Sequence, residues 1–128
     1  MRAADTDVVV RLIARDDEKQ VVQAERFVSK GAWVSLLVLQ ESIWVLENGY
    51  GRNRAEVASI VEMMLEHDQL ALESSNVVKD ALEELRSSGR GVEFSDCLIL
   101  CLARANGHIP LGSFDRELGK LRNVELPS

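Results

Sequence analysis

Short apolar runs alternate with helix-length segments from one end of the chain to the other, and that alternation leaves few architectures open. The runs "RAAD" (2–5), "AWVS" (32–35), "QLALE" (69–73), "IPLGSF" (109–114) and "VEL" (124–126) have the length of strands. Between them lie segments long enough for helices, and strands separated in this way pair in parallel because each return crosses a face of the sheet. The expected fold class is therefore α/β, with a largely parallel sheet of about five strands.

The segment "TDVVVRLIARDD" follows the first run as a helix with Asp7 close to its start, and a polar amphipathic helix runs from about Glu18 to Lys30, stopped by Gly31. "LLVLQESIWVLEN" is too long and too continuously apolar for a strand, so it reads as a mostly buried helix ending near Gly49. Further helices are expected over 53–67, 76–88 and 94–106, with a short one at 116–121. No linker divides the chain, so residues 1–128 are expected to form a single domain, long enough to bury a sizeable core.

Cys97 and Cys101 lie four apart in an apolar run with no histidine nearby in sequence, which suits small buried hydrophobes better than a zinc site. The charged first thirty residues exclude a signal peptide, and Glu41 interrupts the longest apolar stretch, so a cytoplasmic location without membrane contact is expected. A net charge of −6 excludes a protein that holds nucleic acid mainly by bulk positive charge. A polyanionic substrate would need a local cation.

Acids fall at chemically informative places. Asp5 and Asp115 end predicted parallel strands, where open α/β sheets form their ligand crevice. Asp7 reads either as a helix cap or as a functional group; for Asp5, still in the strand, a cap fits less well. Asp96 shares a helix face with Ile99, Leu100 and Ala103 and so needs a partner, although a structural cap is the alternative. Glu93 lies three residues before it, and Glu41 is undecided by spacing alone, since Gln40, Glu47 and Asn48 could share a solvated face with it. Carboxylates that converge repel one another unless cations stand between them, and without cysteine or clustered histidine they suit hard ions such as Mg²⁺ or Mn²⁺.

The stretches "ADTD", "LVLQES" with Glu41, "VEFSDCLIL" with Asp96 and "GSFDREL" with Asp115 together resemble the PIN domain, most closely its VapC-like toxins. The resemblance spans about residues 2 to 126. It implies a three-layer sandwich with helices on both faces of the sheet, and a metal-dependent endoribonuclease acting as the toxin of a toxin–antitoxin pair. It also implies an acidic quartet of Asp5, Glu41, Asp96 and Asp115, in which Asp5, Asp96 and Asp115 bind the ion directly and Glu41 binds through water or orients the attacking water. The chain departs from the usual pattern at Asp7, where many relatives have Asn, at Glu93 (often Asp), at Ser113 (often Thr) and at Ile99, where a His often follows. Asp7, Glu93 and Ser113 are accordingly supporting candidates.

The resemblance further implies RNA as substrate, a homodimer, and a small antitoxin whose tail covers the acidic crevice while its other end binds operator DNA, so that DNA is met only indirectly. Arg11, Arg15, Arg104 and Arg116 are the candidate RNA contacts, with Arg11 and Arg15 one helical turn apart. Trp33 and Trp44 are assigned to the core, with a subunit interface as the alternative; His67 and His108 receive no role. Three rival readings compete. A haloacid-dehalogenase-like phosphatase would use Asp5 as nucleophile and Asp7 as general acid, a receiver domain would need a phosphoacceptor Asp and a late lysine that are not evident, and a PIN-like module could bind without catalysis.

Overall fold

Helix α1 (Thr6–Ala14) begins where the Asp5 side chain accepts the Thr6 N–H, directly after strand β1 (Arg2–Ala3). The same device recurs along the N-terminal half. Asp17 caps α2 (Glu18–Val28), Ser35 caps α3 (Leu36–Gly49) and Asn53 caps α4 (Arg54–Glu66), each accepting a backbone N–H that the helix itself cannot satisfy. Strands β2 (Ala32–Val34) and β3 (Leu70–Leu72) complete a three-stranded parallel sheet in the order β1-β2-β3. Ala32 pairs with both Arg2 and Leu70, which sets the register. This computed structural model describes Met1–Ser128, and the chain divides into two compact units, Met1–Ser75 and Asn76–Ser128.

In the first unit the buried positions follow helical spacing: Val21, Ala24 and Val28 on α2, and Val57, Ala58, Val61 and Met64 on α4. Val34, Leu39, Ile43 and Leu46 add the sheet and α3 sides of this core. α1 lies against both α2 and α3, and α4 lies against β3. Gly31, at φ +90°, supplies the left-handed residue that turns the chain from α2 into β2.

The second unit contains most of α5 (Ser75–Ser87), then α6 (Phe94–Ala105), β4 (Leu111–Gly112), a 3₁₀ turn at Leu118–Lys120 and β5 (Val124–Glu125). β4 and β5 pair in parallel as a separate two-stranded sheet. Both cysteines on α6 are buried and outside any disulfide, as expected, and burial raises the Cys101 thiol pKa above its ordinary value. Gly91 is required by crowding, because a Cβ there would stand 2.3 Å from the Glu117 Cγ.

The α/β class and the parallel pairing agree with expectation, but several details do not. The five strands form sheets of three and two rather than a single five-stranded sheet, and only two or three residues of each expected run are in a strand. Asp5 is not the end of the strand but the cap of α1; at φ −84° and ψ 169° its backbone is extended, which makes a cap look like strand in sequence. Trp33 and Trp44 are not core: they are 40% and 59% exposed. The helix expected to be mostly buried shows solvent a face carrying Leu37 and Trp44, although Leu39, Ile43 and Leu46 are sealed.

One buried group is out of place. Ser42 on α3 is fully buried and its Oγ has no hydrogen-bond partner. A hydroxyl desolvated without compensation destabilises, and Ala is the better helix former. Ser42→Ala is expected to stabilise by about 1 kcal/mol and raise Tm by about 3 °C in a thermal melt; a lowered Tm contradicts this reading of α3.

Asn53 and Glu56 form a reciprocal capping box, and the Asn53 backbone N–H, aided by Arg52, holds the Glu56 carboxyl below its ordinary pKa. A depressed folded pKa gives stability that is complete above the unfolded value and is lost as pH falls through the folded one. Denaturant titrations across that acidic window should show Glu56→Gln losing less stability than the parent chain; equal losses contradict the role of the box.

Candidate functional site

Within the first unit, Asp5, Asp7 and Glu41 line one open cavity of about 370 Å³ together with Thr6, Val10, Arg11, Val45 and Tyr50. The fold places it there for a simple reason. Asp5 follows β1 and α3 follows β2, so both acids stand at the carboxyl ends of parallel strands, where such sheets leave their crevice. The contact of α1 with α3 brings residues 5–7 to Glu41.

Thr6 ties the two acids into one arrangement. Its N–H donates to Asp5 Oδ1 at 2.8 Å, and its hydroxyl donates to Glu41 Oε1. Each carboxylate thus has one oxygen held and the other without a protein partner. Asp7, in the first turn of α1, is exposed and makes no ion pair with Arg11, although the two are four residues apart on the helix.

Arg11 is instead drawn away by three groups outside α1. Its Nε donates to Gln20 Oε1 at 2.5 Å, and its Nη1 donates to the Tyr50 hydroxyl at 3.1 Å and to Asp16 Oδ1 at 3.4 Å. The Tyr50 hydroxyl donates in turn to Asp16 Oδ2 at 2.7 Å, and this bond is the main cause holding the Asp16 carboxyl below its ordinary pKa, with the Arg11 charge adding to it. Thr6, Asp16, Gln20 and Tyr50 were not singled out from sequence as site residues. For Thr6 the signal was present, a hydroxyl between two acids in "DTD"; Tyr50, the one tyrosine, has no sequence pattern linking it to a residue 39 positions earlier.

In the second unit the same economy recurs. Asp96 is half-buried in the first turn of α6, and its Oδ2 accepts the Glu93 N–H at 3.0 Å. The apolar stripe expected beside it is only partial, since Leu100 is buried and Ile99 is 55% exposed. Asp115 Oδ1 accepts the N–H groups of Glu117 at 2.9 Å and Leu118 at 3.1 Å, and the Asp115 N–H donates to Ser113 Oγ at 3.1 Å. Ser113 therefore holds the Asp115 backbone, and Glu93 caps α6 as its N-terminal residue.

The remaining basic candidates are disposed differently from one another. Arg15 is the left-handed cap of α1, at φ 53°, and pairs with Glu25 at 3.4 Å, so it lines a different cavity from Arg11. The expected helical spacing of Arg11 and Arg15 ends with the helix at Ala14. Arg104 donates to Glu84, to Asn123 and to the Arg122 carbonyl, and Arg116 is exposed.

Within each unit, no group of three or more His, Cys, Asp or Glu side chains forms a ready metal cage. Taken singly, Asp5, Glu41, Asp96 and Asp115 each keep one carboxylate oxygen uncommitted while the other is fixed locally, and a carboxylate oxygen is the donor type that a hard divalent ion takes. No helix is long and apolar enough to cross a membrane.

The PIN domain family matches residues 3–124. Over 127 residues the chain is 30% identical to the "VapC ribonuclease" of Aquifex aeolicus (strain VF5), an alignment covering 94% of this chain and 92% of that protein. No solved structure matches the chain significantly. With one family spanning nearly every residue from β1 to β5, the chain belongs to the PIN-domain family, in its VapC-like branch.

Proposed function

We propose that the protein is a divalent-metal-dependent endoribonuclease, a single PIN-like domain over residues 1–128, in which Asp5, Asp96 and Asp115 bind Mg²⁺ or Mn²⁺. The observation that carries the reading is the shared condition of the acids. Each is held by one oxygen and leaves one for a ligand, which is what a hard cation that retains several waters requires. The similarity to a VapC ribonuclease supports phosphodiester hydrolysis as the reaction.

When bound, the ion supplies Lewis acidity and a coordinated water of lowered pKa. Glu41 accepts a hydrogen bond from the attacking water through Oε2, while Thr6 fixes the other oxygen and so the direction of attack. Asp7 and Glu93 add negative charge, and Ser113 keeps the Asp115 backbone in place. Water adds to phosphorus as one P–O bond breaks; one of its hydrogens stays on the new P–OH and the other proton passes to the leaving oxygen.

The protein is the toxin of a toxin–antitoxin pair and acts in the cytoplasm. A small antitoxin with a basic tail covers the acidic crevice, a pairing favoured by the net charge of −6 and the exposed Asp5, Asp7 and Glu41. DNA is met only through that antitoxin. A second copy of the chain covers the exposed Leu37 and Trp44 of α3 in a homodimer. Arg116, which is exposed, joins Arg11 as a basic group available to the RNA strand, whereas Arg15 is paired with Glu25 and all three guanidinium nitrogens of Arg104 already donate within the protein.

Incubation of the chain with defined RNAs should give cleavage with Mg²⁺ or Mn²⁺ and none with a chelator, and Asp96→Asn should lower the rate by at least about a hundredfold. Activity that survives both removes the mechanism, and RNA binding without cleavage points to a binding module. Glu41→Gln should cost about a hundredfold in kcat, and Thr6→Val, which removes only the hydroxyl, about tenfold. Unchanged kcat in Thr6→Val contradicts the orienting role of that hydroxyl.

A further inference from the structure

The acidic cavity of the first unit has one cation on its wall, and its placement is not what helix geometry alone dictates. Asp7 and Arg11, acid four residues ahead of base, are the arrangement in which a helical ion pair is most favourable. They do not pair. Arg11 is held instead by Gln20, Asp16 and Tyr50, and all three bonds fall on Nε and Nη1. The two N–H donors of Nη2 have no protein partner, so they stay available to a phosphate oxygen.

Arg11 also stands between two cavities. It lines the acidic one with Asp5 and Glu41, and a second of about 280 Å³ with Gln20, Gln23 and Phe27. A strand with one nucleotide in each would bring the phosphate between them to this guanidinium. We propose that Tyr50 and Asp16 are positioning residues that hold Arg11 as a fixed phosphate-binding cation for single-stranded RNA. The inference rests on the ribonuclease reading for its ligand. Released from Tyr50 and Asp16, Arg11 would turn onto Asp7, losing its free Nη2 donors and occupying an acid that supports the site.

The test is affinity of the full-length chain for a fluorescent single-stranded oligoribonucleotide, measured in chelator across a salt series, followed by kcat and KM in Mn²⁺. Arg11→Gln is expected to weaken binding on the order of tenfold and to make the slope of log Kobs against log salt shallower by about 0.7. KM rises while kcat holds, the signature of a contact made equally in ground and transition states. Asp16→Asn is the discriminating variant. Removing an acid should tighten binding of a polyanion by bulk charge alone, whereas the proposal expects weaker binding and the same loss of slope. Tyr50→Phe should follow it more mildly, with a thermal melt close to that of the parent chain.

Equal or tighter binding by Asp16→Asn with the slope intact overturns the proposal. A parent chain that binds RNA without cleaving it overturns the ribonuclease reading and leaves the network judged by affinity. A parent chain that binds no RNA overturns both.

Discussion

The hydrogen bonds of Thr6 are the constraint on which the N-terminal half of the site depends. Its N–H fixes the Asp5 carboxylate as the cap of α1, and its hydroxyl fixes Glu41 on α3. One residue thereby couples the end of β1 to a helix that starts 30 positions later, after β2. The coupling needs the parallel order of β1 and β2, because that order puts the starts of α1 and α3 on one edge of the sheet. Acids placed there by the fold repel one another, and the Thr6 bonds hold them in place against that repulsion.

Both units hold an acid by one of its two oxygens. Asp5 and Asp96 satisfy backbone N–H groups at helix starts, and Asp115 satisfies two at the 3₁₀ turn. Each leaves one oxygen uncommitted. A capping role and a ligand role therefore do not compete, because a carboxylate has two oxygens and a cap uses one. The alternatives that spacing left open for Asp96, cap or site, are compatible for this reason.

Much of the fold was legible from periodicity. All six helices and the positions of all five strands fall where alternation of apolar runs places them, because burial of one face imposes its period on the sequence. What was hidden depends on geometry that period does not carry. Asp5 looked like strand because a cap is extended, and Trp33 and Trp44 looked like core because size and hydrophobicity do not reveal which face of α3 or β2 turns outward. The strands pair as sheets of three and two, and the alternation of apolar runs does not specify which strands pair. The Arg11, Tyr50 and Asp16 network joins residues up to 39 apart through side chains alone, and no local pattern encodes it.

The central claim is that Asp5, Asp96 and Asp115 serve a divalent cation, and Mn²⁺ binding measured by calorimetry without any RNA tests it most directly. The account predicts saturable binding that weakens at least about tenfold in each of Asp5→Asn, Asp96→Asn and Asp115→Asn. Mn²⁺ affinity indifferent to all three substitutions, in variants that melt like the parent chain, would contradict it.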